Sequence, residues 1–327
     1  MSSPATTQPF GSGLRRPAAT LALLLGAILM SGSLPAPAQD ALRIAKEPAG
    51  ISVWSGERLV LQYQDTPQPM KPYVKQWLSP AGVSVLRDSP FDHKHHHALM
   101  FAVAVDGVNF WEERAESGSQ KPRSLSGMKT YTRDGLDWAT FTQAIDWTAP
   151  KSDAVMLKER RRIDTCRVAD PAVSLLVWRC KLEPPPGKDS VTLGGATYFG
   201  LGVRFVQSMD TGGRFINADG KPGVQGTNAA RSAWCAYSAA ADGKPVTVAM
   251  FDLPANPRHP ATWFTMDSSF AYLSATLDLS KQPLVVEAGK PLDLTYGVAL
   301  WDGQVEAERI EKLYRRLVTW AAEEAPR

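Results

Sequence analysis

The chain has 327 residues, 44% hydrophobic and 21% charged, with 36 basic side chains against 33 acidic ones. So even a balance carries no electrostatic footprint for nucleic acid or an anionic membrane surface, and no segment is long and apolar enough for a good membrane span. Three cysteines, Cys166, Cys180 and Cys235, make an odd count without a C-x-x-C pair, so they read as buried thiols and not as a disulfide scaffold or zinc site.

The first 38 residues have the make-up of a signal peptide: Arg15-Arg16, an apolar run from Leu21 to Met30, and an A-x-A site at Ala36-Pro37-Ala38. Cleavage near Ala38 would leave a nearly neutral, soluble protein, periplasmic or secreted. Residues 39–327 are expected to form a single domain.

Strand signals follow. Ile51-Ser52-Val53-Trp54 and Leu59-Val60-Leu61-Gln62-Tyr63 flank a Ser55-Gly56 turn. Leu99 to Val105 is almost wholly apolar, as in a strand buried on both faces, and Asp106-Gly107 signals a two-residue hairpin. That register puts Val105 opposite Val108 and Met100 opposite Glu113. Met156 to Cys180 reads as a hairpin turning near Ala169-Asp170-Pro171, with Cys180 roughly opposite Glu159 and badly placed to bridge Cys166. Leu176, Trp178, Cys180 and Leu182 alternate onto one face. Val246 to Phe251 follows an Asp242-Gly243 turn, and Leu292 to Leu300 is a late strand. Ile310, Leu313, Tyr314, Leu317 and Trp320 recur at helical spacing, so a C-terminal helix should cap a sheet. The expected fold is all-β, a large antiparallel β-sandwich.

Four of the five histidines lie in Phe91-Asp92-His93-Lys94-His95-His96-His97. Histidine is the side chain that serves as acid, base or metal ligand near neutral pH, so this segment is the candidate floor of a site. In one chemistry a histidine is the acid or base and a carboxylate its partner. In the other, His93, His95 and His96 hold a divalent transition metal, with Asp92 or Glu113 completing the shell. On an extended chain His93 and His95 face the same side, and Glu113 would lie about 13 Å from His96, across a sugar-sized ligand. The alternative is a surface loop whose histidines cap backbone groups. Arg204, in Gly200-Leu201-Gly202-Val203-Arg204, sits where glycines permit close approach and could clamp a carboxylate or hydroxyls. Trp111 and Trp263 could stack on a sugar, although aromatics in a sandwich are more often core. His259 lies in a loop rich in turn residues. The run Lys158-Glu159-Arg160-Arg161-Arg162 reads as a solvated strand face. Serine and cysteine nucleophile motifs, P-loops and dinucleotide signatures are absent.

The runs Lys71-Pro72-Tyr73, Ser89-Pro90-Phe91-Asp92-His93-Lys94-His95-His96 and Val108-Asn109-Phe110-Trp111-Glu112-Glu113 together resemble the secreted bacterial PmoA-like domain family. Its hallmark is a D-H-x-H-H segment followed by an aromatic-W-x-E segment. The resemblance continues through Tyr198 to Arg204, Ala233 to Tyr237, Asn256-Pro257-Arg258-His259-Pro260-Ala261-Thr262-Trp263 and Ala288 to Leu292. It implies a sandwich of the galactose-mutarotase type and a carbohydrate context, and it adds Lys71, Tyr73 and Asn256 to the candidate binding residues. The family's label, methane oxygenase, does not suit a chain without transmembrane helices. The sequence departs from the family pattern at His97-Ala98, where arginine and glycine are usual, and at Phe264 to Phe270, where a histidine and an arginine are usual. The leading expectation is an exported protein acting on a sugar or oxidised sugar by epimerisation, elimination or hydrolysis, through His93, His95 and His96 with Glu113 and Arg204. Asp92, Trp111, Asn256, His259 and Trp263 would contact the ligand. The alternatives are a non-catalytic glycan-binding protein and a metal-dependent oxidoreductase.

Overall fold

A computed structural model describes residues 41–66, 68–168 and 172–324. The signal peptide expected over residues 1–38 and the turn expected at 169–171 lie outside them. In chain order the strands are Leu42–Glu47 (β1), Gly50–Ser55 (β2), Arg58–Gln64 (β3), Tyr73–Trp77 (β4), Leu99–Ala102 (β5), Ala104–Val105 (β6), Val108–Asn109 (β7), Ser119–Arg133 (β8), Leu136–Thr148 (β9) and Val155–Val168 (β10). There follow Val173–Glu183 (β11), Ser190–Gly194 (β12), Gly200–Arg204 (β13), Arg214–Asn217 (β14), a short helix Gly223–Thr227 (α1), Trp234–Ala241 (β15), Lys244–Asp252 (β16), Thr262–Met266 (β17), Tyr272–Thr276 (β18), Leu284–Glu287 (β19), Leu292–Asp302 (β20) and the helix Ala307–Glu324 (α2).

The strands form two eight-stranded antiparallel sheets, ordered β1-β2-β3-β4-β5-β13-β18-β17 and β14-β15-β16-β20-β11-β10-β9-β8, with a four-stranded sheet β19-β12-β6-β7 beside them. Three hairpins turn on Asp-Gly pairs, Asp106-Gly107, Asp134-Gly135 and Asp242-Gly243, each with both residues at positive φ. This is the type I′ geometry whose twist matches that of paired strands. The expected all-β sandwich with a C-terminal helix is therefore the observed one.

The second sheet is buried on both faces. Leu176, Trp178, Cys180 and Leu182 of β11 join the main core, while Leu175 and Val177 belong to a second cluster with Trp138, Ala299 and Trp301. Against this second cluster α2 lays Ile310, Leu313, Tyr314, Leu317 and Trp320, the stripe expected from their spacing. Gly297 of β20 makes the fit, because a Cβ there would stand 2.2 Å from Leu317 Cδ2.

Two registers differ from expectation. In the β10–β11 hairpin Cys180 faces Arg161, two residues from the expected Glu159, in a register that runs up to the pair Val168–Val173. Cys166 faces Leu175, and all three cysteines are free and buried. In the Asp106-Gly107 hairpin Val105 does face Val108, but the ladder ends one pair further on, at Ala104–Asn109. Asn109 Oδ1 accepts the backbone N–H groups of Trp111 (2.7 Å) and Glu112 (3.1 Å), which turns the chain out of the sheet. Met100 then faces Gly202 of β13, not Glu113.

Arg161 is not on a solvated face. It lies fully buried between the sheets, with all five N–H donors used: two to the Glu159 carboxylate (2.7 and 2.9 Å), and one each to Tyr63 Oη (3.3 Å), Pro72 O (2.7 Å) and Gln120 Oε1 (3.1 Å). Its guanidinium also lies over the Trp178 ring, 4.5 Å from the centroid. Removing one partner of such a pair leaves a bare charge in the core. Arg161→Ala should therefore cost about 3–5 kcal/mol in chemical denaturation, and replacing Arg161→Met and Glu159→Gln together should recover much of that loss.

Candidate functional site

The outer face of the first sheet is the floor of a pocket. Across β17, β18 and β13 the directly opposed residues are Met266, Tyr272 and Arg204, and opposed residues share a face. The next row on this face holds Phe264 and Gly202. Gly202 is required, since a Cβ there would meet Tyr272 Oη at 2.0 Å.

Above this floor the histidine segment closes on itself. Asp88 pairs with His97 as an isolated bridge, and the His93 and His96 amides donate to Pro90 O (3.0 Å) and His93 O (2.9 Å). The segment is thus two consecutive turns and not an extended chain. Turns bring together residues three apart, so His93 stacks on His96 (4.6 Å between centroids) and His95 meets His96 edge-on (4.6 Å). His93 and His95 also meet, edge-on at 5.8 Å between centroids, but by way of the turn and not along an extended chain. Among the described residues no group of three or more His, Cys, Asp or Glu stands in an arrangement that could hold a metal ion.

The resulting cavity has a volume of about 410 Å³ and is lined by Asp92, His93, His95, His96, Trp111, Glu112, Arg114, Tyr198, Phe264, Met266, Phe270 and Tyr272. Of the expected residues, Asp92, His93, His95, His96 and Trp111 meet here. Arg204 stands behind the wall, its guanidinium 3.5 Å from the centroid of the Phe270 ring and 3.3 Å from Asp92 Oδ2. Trp263 does not face the pocket. It points to the opposite side of β17, into the core, with Nε1 donating to Ser232 O (2.8 Å). Asn256 and His259 gather around the buried Asp252 at the end of β16 (2.6 and 2.7 Å) and line no wall of this pocket.

Glu113, Lys71 and Tyr73 meet on the other side of the histidine turn, around His97. His97 Nδ1 lies 2.9 Å from Asp88 Oδ1 and Nε2 lies 2.9 Å from Glu113 Oε1. Lys71 donates to Glu113 Oε1 (2.7 Å) and to Trp111 O (3.0 Å), and Tyr73 donates to Asp88 Oδ2 (2.8 Å). The expected separation of Glu113 from the histidines thus gives way to a direct bond with the one histidine given no role. His96 and Trp111 face the pocket, while the adjacent His97 and nearby Glu113 face away and tie the two pocket-bearing segments together.

The two neighbouring imidazoles are driven in opposite directions. Burial, with His95, His93 and Arg204 nearby, pushes His96 down to about 2, so it is neutral. Burial opposes the charge on His97 as well, but hydrogen bonds to Asp88 and Glu113 outweigh it and raise that histidine. Desolvation would raise Glu113, yet His97 and Lys71 hold it at about 2. Burial, then Lys71, lowers His95.

A family model matches residues 50–315, and its description is a family of unknown function, DUF6807. The chain belongs to that family. The resemblance to the PmoA-like family is corrected by this match, since nothing ties the chain to PmoA. The D-H-x-H-H and W-x-E segments fall inside the matched span and describe the turn and pocket wall seen here. No curated protein sequence matches the chain. Solved structures similar to it include the galactosidase domain of an alpha-galactosidase-sucrose kinase (10% identity, TM-score 0.44), matched over 80% of this chain and 42% of that one. They also include a galactose mutarotase related enzyme from Lactobacillus acidophilus (9% identity, TM-score 0.38, 81% of this chain and 99% of that one). A third is a glycoside hydrolase family 97 enzyme variant from Pseudoalteromonas sp. strain K8 (10% identity, TM-score 0.37, 80% and 35%). At such identities and TM-scores, what this pocket does rests on its own geometry.

Sequence reasoning missed Tyr198, Phe264, Met266, Phe270 and Tyr272 as lining residues, and Asp88 as a partner of His97. The signal for Phe264 and Met266 was the period-two alternation of β17, where they share one face and Trp263 takes the other.

The opposite shifts give opposite pH dependences. His97, raised on folding, contributes stability that is full below its unfolded value of about 6.5 and lost as pH climbs through the folded value. The stability deficit of His97→Gln should thus be larger at mildly acidic than at alkaline pH. His96, depressed on folding, makes the native state lose stability as pH falls from about 6.5. His96→Gln should flatten the acid limb of the stability curve between about pH 6.5 and 4, read by urea denaturation at each pH.

Proposed function

We propose that the pocket receives one sugar unit and that the protein performs acid/base chemistry on it. The observation that carries this reading is the joining of half-exposed apolar faces (Tyr198, Phe264 and Met266) to a cluster of imidazoles and carboxylates in one cavity of about 410 Å³. That volume falls in the range of roughly 300–1,000 Å³ usual for small-molecule sites, and flat aromatic faces suit the C–H face of a sugar ring. His96, held neutral, is available as a hydrogen-bonding group. His93 and His95, partly exposed to the cavity, are the groups that exchange a proton, and Asp92 is the carboxylate nearest His93, at 3.2 Å. His97, whose two carboxylate partners favour its charged form, stays outside the cavity and braces it. Epimerisation, elimination and hydrolysis of a sugar or oxidised sugar all need such a proton exchange.

A second reading, a glycan-binding protein without turnover, is favoured by one feature. The wall formed by Phe264, Met266 and Phe270 offers no acid or base opposite the histidines. Incubating the protein with a panel of neutral and acidic sugars, followed by NMR, separates the two. Conversion of at least one sugar, slowed about 100-fold or more in His95→Ala and Asp92→Asn, is expected for the enzyme. Saturable line broadening without conversion in any arm would leave only the binding reading.

In this proposal the protein works in the periplasm or outside the cell after losing residues 1–38. Fractionation with N-terminal sequencing should then find a mature chain beginning at Gln39.

A further inference from the structure

Three arginines are buried among the strands, and they are bonded differently: Arg161, Arg204 beside the cavity, and Arg167 of β10, which lines no part of the cavity and also leaves Nε and Nη2 without a partner among the described residues. Arg161 uses every donor it has. Arg204, 1% exposed, uses one: Nη2 reaches Asp92 Oδ2 at 3.3 Å, while Nε and Nη1 have no partner among the described residues. The neighbours of Arg204 share the defect. His96 Nδ1, Trp111 Nε1 and Tyr272 Oη are also buried without a partner, and all three residues line the cavity. Buried polar atoms left bare cost about 1–3 kcal/mol each, so a cluster of them at one pocket marks a place where something else completes the bonding. An arginine and an indole can only donate, and a neutral imidazole and a phenol can. The missing partner is therefore an acceptor, and a guanidinium in a low-dielectric wall calls for a charged one.

We propose that the sugar bound here carries a carboxylate, a uronic acid or its derivative, and that Arg204 is the residue that recognises it. This rests on the reading of the cavity as a sugar site and narrows it to one substrate class. Phe270, whose ring covers the guanidinium, is the side chain that must turn aside to admit the carboxylate. Asp92, the present partner, is the group the ligand displaces or shares. Gly202 contributes by what it lacks: any side chain there would push Tyr272 Oη from its place in the same row of donors.

The test compares D-glucuronate and D-galacturonate with their methyl esters and with D-glucose and D-galactose, titrated into the folded protein and followed by NMR. The expected result is that at least one uronate binds about ten-fold or more tightly than its own ester, which keeps the ring and removes the charge. Arg204→Lys, checked for an intact thermal transition, should shrink that preference to about two-fold, because a lysine keeps the charge without the fork of donors. If Arg204→Lys does not fold, the acid–ester comparison on the unaltered protein decides. Equal binding of acid and ester, or of uronate and neutral sugar, overturns the carboxylate inference and leaves the sugar site standing. No binding by any member of the panel overturns both.

Discussion

A guanidinium buried between two sheets is the constraint on which the rest of this structure hangs. Arg161 cannot be neutralised, so the core must supply an acceptor for each of its donors. It draws them from several parts of the chain: Glu159 on its own strand, Tyr63 of β3, Gln120 of β8 and the carbonyl of Pro72. Gln120 in turn donates to Phe101 O of β5, and Tyr63 donates to Gln143 of β9. Apolar packing alone would let two sheets slide over one another at little cost. A charge that must be fully bonded fixes their relative position.

The same constraint reaches the pocket through a short path. Pro72, held by Arg161, lies between Lys71 and Tyr73, and these two hold Glu113 and Asp88, the carboxylates on either side of His97. The His97 bridge then ties the histidine turn to the segment carrying Trp111. A cavity wall made from two irregular loops is in this way braced from behind by a bonded chain that begins in the core. The division of labour between adjacent histidines follows. One is buried against the cavity, which disfavours its charge, while its neighbour faces two carboxylates, which favour it.

Much of this architecture was legible from local pattern. Alternation along Leu176, Trp178, Cys180 and Leu182, the Asp-Gly turns and the helical spacing of Ile310 to Trp320 each report a constraint that acts within a few residues. The histidine segment was legible as a location for the same reason, since four histidines in seven positions are a local fact. Its internal geometry was not. Extended chain and consecutive turns are both open to Asp92-His93-Lys94-His95-His96-His97, and the bridge from Asp88 to His97 selects the turns. Trp263 and Arg161 were misplaced by the same limit: a strand residue takes one of two faces, and which face is core depends on what packs there.

The sequence by itself thus determined the fold class and the helix that caps the second sheet, because those follow from periodicity and turn chemistry, and it singled out the histidine stretch that lines the candidate pocket. Tertiary structure alone decided that His96 and His97 part company, that Glu113 joins the second of them, and that one buried arginine is fully bonded while Arg204 keeps a single partner among the described residues. Those outcomes depend on which distant side chains arrive as partners, and on desolvation, which exists only once the chain has closed around the group.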